Sequence, residues 1–312
     1  MKNGDSIATS NSKNMLFIMT SALLFLVVCL TWGTTWLGIK IAVESIPPLT
    51  ASGLRFIIAF PLFLIFSFIR NDALSFPKGM NWFFMFITIL YFTLPYFLIS
   101  YGEQFVSSGL TSLIFSTMPV FILLFSLVFL NEKVWFSQLL GVGIGFGSLY
   151  MIIRSEGLMI TSTGSMGFIA ILSAAVLHAL CYTLTKKIGS EIAVTTFNTL
   201  PVGIAGFFLF SLGLIFERPN FSEISSASWI ATLYLGLVAS VGGFIVYFYL
   251  LKRINAVLLS FVFIVFPVFS IVIGAWYEGH YLSKSFVYYA AIMLFGFAMT
   301  KIRFSKISTV TD

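Results

Sequence analysis

Charged side chains are scarce in this sequence. Only 9% of its 312 residues are Asp, Glu, Lys or Arg, whereas 59% are hydrophobic. So few ionisable groups cannot cover the surface of a water-soluble globule of this length. The formal net charge of +6 does not indicate a nucleic-acid partner, because the basic residues are scattered singly and in pairs between apolar runs. The composition therefore predicts an integral membrane protein whose solvent is the lipid bilayer.

Cysteine and catalytic motifs are nearly absent as well. Cys29 and Cys181 each lie inside an apolar run, without the spacing of a metal site, and are interpreted as packing residues. The sequence has no HExxH, GxSxG or Walker motif and no Cys/His cluster. We therefore predict no catalytic residue, no metal, no cofactor and no ATP-driven motor, and we do not expect an enzyme.

Long apolar runs, by contrast, fill the chain. A helix needs about 20 mostly apolar residues to cross a bilayer, and ten such runs occur between short polar breaks. They predict an all-α integral membrane fold with ten transmembrane helices, a cytosolic N-terminal tail at 1–14 and a cytosolic C-terminal tail at 304–312. The predicted spans are Met15–Ile41, Leu49–Ile69, Trp82–Tyr101, Ser108–Leu130, Trp135–Ile153, Met166–Leu184, Ala193–Phe216, Trp229–Leu250, Ala256–Tyr277 and Ser285–Lys301.

The distribution of positive charge predicts the orientation of these helices. If the N-terminus is cytosolic, twelve Lys and Arg residues fall in cytosolic segments and four in external ones, with Arg55 inside a span. Cytosolic loops of membrane proteins carry the excess of Lys and Arg. Both termini are therefore predicted to be cytosolic.

Weak internal similarity indicates a repeat. Because a five-helix unit begins on one side of the membrane and ends on the other, its copy must be inverted. We predict two inverted five-helix repeats, at 15–154 and 165–303, with a substrate site near the midplane where they meet. Prolines in the fourth and ninth spans are expected to kink those helices. The matching positions are Ser112 with Ser260, Pro119 with Pro267, Trp32 with His178, and Trp36 with Tyr182.

Polar and aromatic side chains within the spans are candidates for a cavity wall. Trp32, Thr35 and Trp36 share one face of the first helix. Such a stripe is costly in the membrane unless it faces protein or water. The alternative places Trp32 and Trp36 in the aromatic belt at the outer interface. The predicted cavity residues are Trp32, Thr35, Trp36, Tyr96, Ser112, His178, Tyr182 and Ser260.

Two kinds of charged residue allow more than one interpretation. Arg55 is the only basic residue well inside a span, which favours a functional role, but it lies close enough to the outer helix end to snorkel. Glu103 and Glu132 lie at span ends and are interpreted as solvated or capping groups, with proton coupling as the alternative.

Glycines of the fifth span form two overlapping pairs with small-residue spacing. The pairs are Gly141 with Gly145 and Gly143 with Gly147. Such pairs let helices approach closely. They serve packing inside one chain and a homodimer contact equally well, so both alternatives stay open.

Several of these residues together resemble a known family. Trp32-Gly33-Thr34-Thr35, Leu54-Arg55-Phe56, Pro119 followed by Glu132, and the glycine-rich fifth span resemble the EamA family of the drug/metabolite transporter superfamily, and within it the PecM-type metabolite exporters. The resemblance implies ten helices in two inverted repeats and a central cavity lined mainly by helices 1, 3, 4, 6, 8 and 9. One departure is that the constant offset from Glu132 leads to His280, with Glu278 nearby.

The resemblance and the residues together predict a secondary or facilitated transporter in a bacterial cytoplasmic (inner) membrane. It is expected to export small organic metabolites or amino acids by alternating access. A cavity with no acidic residue at mid-depth favours neutral, zwitterionic or aromatic solutes over simple cations. One alternative is a lipid-linked flippase, which would need a lateral opening. Another is a membrane sensor or regulatory subunit that binds a ligand without moving it, against which the short tails and loops argue.

Overall fold

The computed structural model describes residues 2–130, 135–155, 162–251, 262–279 and 281–299, and these contain helices and turns but no strand. Ten helices follow one another at the positions of the predicted spans, which confirms the all-α membrane fold. Seven helices within the described residues are long and apolar enough to cross a bilayer, and three contain shorter apolar stretches. The helices are α1 Lys2–Ala42, α2 Pro48–Arg70, α3 Asn81–Gly102, α4 Ser108–Phe129, α5 Phe136–Ser155, α6 Ser162–Ile188, α7 Val194–Glu217, α8 Ser226–Leu251, α9 Val262–Glu278 and α10 Lys284–Met299.

The first helix begins earlier than its predicted span. Its backbone is helical from Lys2, although the apolar stretch suited to a membrane is Met15–Ala42. Residues 2–14, predicted as a separate tail, therefore continue α1.

The helices pair in the same way in the two halves of the chain, α1–α5 and α6–α10. Helix α2 packs along α7, and α5 packs along α10. Helix α1 packs against α8 and α9, just as α6 packs against α3 and α4. Exchanging each helix with the one five places away reproduces these pairings, which confirms the two-repeat architecture.

Helices α2 and α7 lie antiparallel, and each begins where the other ends. Glu217, at the end of α7, accepts hydrogen bonds from the backbone N–H groups of Leu49 (2.8 Å) and Thr50 (2.9 Å) and from the Thr50 hydroxyl (2.8 Å). In return, Asp72, just beyond α2, accepts a hydrogen bond from the Thr195 hydroxyl at the start of α7. Carboxylates at helix N-termini satisfy free amides and interact favourably with the helix dipole. The equivalent helices therefore run in opposite directions, as predicted for inverted repeats.

A third carboxylate links α9 to α4. Glu278, at the end of α9, accepts hydrogen bonds from the Ser108 backbone N–H (3.0 Å) and hydroxyl (2.6 Å) at the start of α4. The glutamate near the departure from the family pattern therefore has a structural role as a cap. Glu132 and His280 lie outside the described residues.

Helices α3 and α8 each contain a π-helical segment. It spans Thr88–Thr93 in α3 and Leu235–Gly242 in α8. The hydroxyls of Thr88 and Thr93 each donate to a carbonyl oxygen of the preceding turn at 2.8 Å. These bonds are made to the Phe84 and Thr88 carbonyl oxygens, so the threonine hydroxyls are satisfied within the helix. Segments of this kind are frequent at functional sites.

The two prolines predicted to kink helices lie in different settings. Helix α4 breaks at Ser116 and Thr117, and Pro119 lies in the first turn of the segment that follows. Pro267 lies inside α9, which is uninterrupted from Val262 to Glu278. The kink at Pro267 stays a prediction.

The two glycine pairs of α5 face different surroundings. A Cβ added at Gly145 would collide with the ring of Phe297 on α10, and Gly141, one turn earlier, is buried too. A Cβ added at Gly143 or Gly147 would meet no atom of the described residues within 4 Å. The first pair therefore packs within the chain, and the second lies on its outer surface.

Removing the Glu217 cap is expected to destabilise the fold. Glu217→Ala leaves two backbone N–H groups of α2 without a partner, so unfolding should become easier by about 1–3 kcal/mol. Thermal denaturation of the purified protein in detergent measures the change. Glu223→Ala is the matched control, because Glu223 is exposed and bonds only within its own loop, to Asn220. Equal melting temperatures for the two variants would contradict this role of the cap.

Candidate functional site

Aromatic rings from α3 and α4 surround His178 of α6. The imidazole is 5% exposed, and its centroid lies 4.7 Å from the ring of Tyr91, 5.7 Å from Tyr96 and 5.3 Å from Phe115. His178 Nδ1 lies 3.0 Å from the Ala174 carbonyl oxygen, to which an N–H at that position donates. His178 is therefore the centre of an aromatic cluster built from both halves of the chain.

Trp36 extends this cluster to α1. Its ring lies 4.9 Å from Phe115 and 6.1 Å from Phe266, and its side chain is 6% exposed. The indole Nε1 is buried without a hydrogen-bond partner among the described residues. Trp36 therefore belongs to the interior and not to an aromatic belt facing lipid. Its unpaired N–H is a donor that a bound solute could use.

Arg55 joins the same cluster from α2. Its Nε donates to Ser240 Oγ of α8 at 3.0 Å, and its Cζ lies 5.0 Å from the centroid of the Tyr96 ring. With 7% exposure it is buried among α2, α3 and α8 and does not snorkel to the surface. Both π segments contribute to this region, because Tyr91 lies in one and Ser240 in the other.

A pocket at one end of the bundle reaches Tyr91, whose ring contacts His178. It measures about 280 Å³ and lies where α6 ends and α7 begins. Tyr182, half-exposed, and Tyr91, a neighbour of His178, both line it. The Thr185 hydroxyl on this wall is buried without a partner among the described residues. We name this the open end; its wall is formed by Tyr91, Tyr182, Thr185, Lys186, Gly189, Ser190, Ile192, Val194, Phe197 and Asn198.

Hydrogen bonds join the helices at the opposite end, where α1 finishes. Lys40 Nζ donates to the carbonyl oxygens of Glu103 (2.6 Å) and Val106 (3.2 Å), which ties α1 to the turn between α3 and α4. Ser45 Oγ donates to Ser228 Oγ at 2.8 Å, which ties the α1–α2 connection to the start of α8. We name this the closed end.

Glu103 lies in the α3–α4 connection at the closed end, outside both membrane-spanning helices. Its side chain is 0% exposed, and neither carboxyl oxygen has a hydrogen-bond partner among the described residues. Burial raises its pKa well above 4.5; Glu278 raises it further, and Lys40 opposes the shift. The interpretation of Glu103 as a solvated or capping group is therefore wrong, because the turn folds its side chain inward.

The predicted cavity residues divide into three groups. Trp36, Tyr96 and His178 meet in the aromatic cluster, and Tyr182 lies at the pocket mouth. Trp32 packs away from His178, with its ring 5.1 Å from Tyr247 of α8 and 5.7 Å from Phe263 of α9. The third group consists of Thr35 and Ser112, whose hydroxyls donate within their own helices. Thr35 donates to the Thr31 carbonyl oxygen at 2.8 Å, and Ser112 donates to the Gly109 carbonyl oxygen at 2.6 Å. Ser260 lies outside the described residues.

Sequence reasoning did not select Phe115, Ser240 or Tyr234 for the site. The Tyr234 hydroxyl lies 2.6 Å from Thr34 Oγ1, and this hydrogen bond links α8 to α1. Phe115 is one of 37 phenylalanines, and Ser240 is an ordinary small residue in an apolar run. Neither carries a composition or spacing signal, so only the fold identifies them.

The fold and the site define a class of protein. It is a helical membrane protein of two inverted five-helix repeats, with a buried polar and aromatic cluster to which both repeats contribute. The chain belongs to the EamA-like transporter family, whose model matches residues 19–154 and 165–302. It is therefore a multi-pass membrane transporter and not an enzyme.

Individual relatives agree with this assignment. The chain is 42% identical to protein PagO of Salmonella typhimurium over 262 residues, covering 84% of this chain and 86% of PagO. It is 28% identical to the uncharacterized inner membrane transporter YedA of Escherichia coli K12, covering 88% of each chain. A solved crystal structure with 17% identity superposes with a TM-score of 0.65 over 90% of this chain and 96% of that one, which shows that the fold is shared.

The burial of Glu103 predicts a pH-dependent stability. Because its folded pKa is raised, the neutral carboxyl contributes its full stability below about pH 4.5, and this contribution is lost as the pH rises toward the raised value. The wild-type melting temperature should therefore fall more between pH 5 and pH 8 than that of Glu103→Gln, which stays neutral. Thermal denaturation in detergent at both pH values measures this difference.

Glu223→Gln is the control for this experiment, because its side chain is exposed. It should keep the wild-type dependence on pH. If Glu103→Gln keeps that dependence as well, Glu103 is ionised in the folded protein and the argument from burial fails.

Proposed function

We propose that this protein exports small organic metabolites or amino acids across the bacterial inner membrane by alternating access, as a secondary or facilitated transporter. The observation that carries the proposal is the asymmetry of access to the aromatic cluster around His178. A pocket reaches toward it from the open end, whereas hydrogen bonds join the helices at the closed end. The pocket at the closed end, between α4, α9 and α10, is smaller, about 100 Å³, and none of its lining residues belongs to the aromatic cluster. Unequal access of this kind is what one state of an alternating-access transporter requires.

The internal symmetry supplies the opposite state. Because α1 with α8 and α9 is equivalent to α6 with α3 and α4, the two halves can exchange conformations. In the exchanged arrangement the α1 end would open and the α6 end would close. The π segments of α3 and α8 border the site on both sides and are suited to bending, since their turns are already wider than those of an α-helix.

The charge distribution favours a cytosolic open end. The open end carries Lys186 and Lys187 of α6 and Arg70 of α2, which the positive-inside rule assigns to the cytosol. The site is then loaded from the cytoplasm in the state described here. The name of the relative YedA as an inner membrane transporter supports the same membrane for this chain.

The lining favours solutes with an apolar or aromatic body. Trp36, Tyr96 and Phe115 offer flat rings around His178, while the Trp36 N–H and the Thr185 hydroxyl are unpaired polar groups. A small solute that is stacked on the rings and hydrogen-bonded at its polar end would satisfy both. The resemblance to PecM-type exporters is consistent with this solute class.

Truncating Trp36 is expected to impair export. Trp36→Ala removes a ring that contacts Phe115 and Phe266, so solute export should fall roughly tenfold or more. Untargeted mass spectrometry of the medium, with cells producing equal amounts of membrane-inserted protein, identifies solutes that depend on the wild type. Trp276→Ala is the matched control, because Trp276 is 82% exposed on α9.

Three results would contradict this assignment. Undiminished export by Trp36→Ala would remove Trp36 from the transport path. An absence of any solute enriched by the wild type would argue against export. Competition by long-chain lipids, but not by small solutes, would indicate a flippase instead.

Locking the closed end tests alternating access directly. The Ser45 and Ser228 hydroxyls lie 2.8 Å apart, so cysteines at these positions should form a disulfide on oxidation. Export by Ser45→Cys/Ser228→Cys should then stop and return after reduction. Each single variant serves as a control, because the native cysteines, Cys29 and Cys181, are buried. Continued export by the cross-linked protein would show that this end need not open.

A further inference from the structure

Arg55 is a buried positive charge for which the described residues supply no counter-ion. It lies two turns into α2 and is 7% exposed. No carboxylate of the described residues pairs with the Arg55 guanidinium, whereas Arg70 of the same helix is paired with Asp72. A guanidinium does not lose its proton in proteins. An unpaired charge inside a membrane protein is costly, so a ligand that neutralises it would be strongly favoured.

Two contacts orient the guanidinium and leave its outer donors free. Nε donates to Ser240 Oγ at 3.0 Å, and Cζ lies 5.0 Å from the centroid of the Tyr96 ring. The two terminal amino groups have no hydrogen-bond partner among the described residues. Because the guanidinium is planar, a fixed Nε also fixes the directions of these amino groups. The result is an oriented pair of N–H donors beside the aromatic cluster.

The geometry and the charge of this donor pair match a carboxylate. The two oxygens of a carboxylate accept parallel hydrogen bonds from a guanidinium. A phosphate monoester carries a charge of about −1.5 to −2 at pH 7, whereas Arg55 is the only basic residue well inside a span. A monoanion would leave the buried site neutral, and a dianion would leave an uncompensated negative charge.

Apolar surface continues from Arg55 toward α1. The Tyr96 ring lies 5.7 Å from His178, and His178 lies 5.3 Å from Phe115. Phe115 in turn lies 4.9 Å from Trp36. A solute with a carboxylate at one end and a flat or apolar body at the other would contact the guanidinium and these rings together.

We infer that Arg55 is the anion-binding residue of the transport site and that the solutes are small organic monocarboxylates with an apolar or aromatic body. The inference rests on the proposed transport function for its physiological meaning, but the binding event is measurable without transport. Ser240 is a positioning residue, since it holds Nε and leaves the amino groups for the ligand. Amino acid zwitterions carry the same carboxylate and belong to this class.

The test is isothermal titration of the purified full-length protein in detergent. The probes are 3-phenylpropanoate and its neutral counterpart 3-phenylpropanamide, which share one hydrocarbon body. The wild type should bind the carboxylate roughly tenfold or more tightly than the amide, as expected for a charge-assisted hydrogen bond. Arg55→Gln should abolish this preference and leave the affinity for the amide unchanged.

Two further variants make the experiment specific. Arg70→Gln should keep the wild-type preference, because Arg70 is an arginine of the same helix that is half-exposed and paired with Asp72. Arg55→Lys keeps the charge but loses the planar donor pair, so an intermediate preference is expected. The comparison of the two probes on the wild type needs no variant, so a folding defect in Arg55→Gln would not remove the test.

Three outcomes would overturn the inference. They are equal affinity of the wild type for both probes, no binding of either probe, and an unchanged preference in a folded Arg55→Gln. The proposed transport function can fail separately. If the carboxylate is preferred but no solute is exported, the anion site stands and export is wrong. If neutral solutes are exported and the probes bind equally, export stands and the anion site is wrong.

Discussion

The structure depends on carboxylates that close helix N-termini in the opposite half of the chain. In lipid, no water satisfies the first amides of a helix, so a partner must come from within the protein. Glu217 provides it for α2, and Asp72 binds the Thr195 hydroxyl at the start of α7. Each half therefore supplies a carboxylate to the N-terminus of the second helix of the other half. These contacts hold α2 and α7 together as an antiparallel pair.

Contacts of unequal strength meet at the closed end. Ser45 and Ser228 share one hydrogen bond between neutral hydroxyls, which contributes about 0.5–1.5 kcal/mol. At the same end, Glu217 accepts three hydrogen bonds from α2. Lys40 binds backbone carbonyl oxygens, and the Glu103 carboxyl has no hydrogen-bond partner among the described residues. The hydroxyl contact can therefore break at modest cost while the cap that joins α2 to α7 persists.

Much of this arrangement was predictable from the sequence. The features that were not predictable depend on contacts that no local sequence pattern reveals. Hydropathy located the spans, and the odd number of spans in each half required inversion. Arg55 was identifiable because an intramembrane charge is rare. The role of a hydroxyl group was harder to predict, because a helical serine such as Ser112 can donate to a carbonyl of its own helix instead of facing a cavity. The burial of Glu103 depends on how the α3–α4 turn folds beneath α1, which no local pattern encodes.

The π segments of α3 and α8 are also related by the internal repeat. A π turn arises when one residue is inserted into an α-helix, and it rotates every later side chain relative to the earlier ones. The same number of residues separates the segment starts, Thr88 and Leu235, as separates Asn71 and Arg218, the left-handed residues that follow α2 and α7. The π segments of α3 and α8 therefore occupy equivalent positions, so exchanging the two repeats carries one segment onto the other.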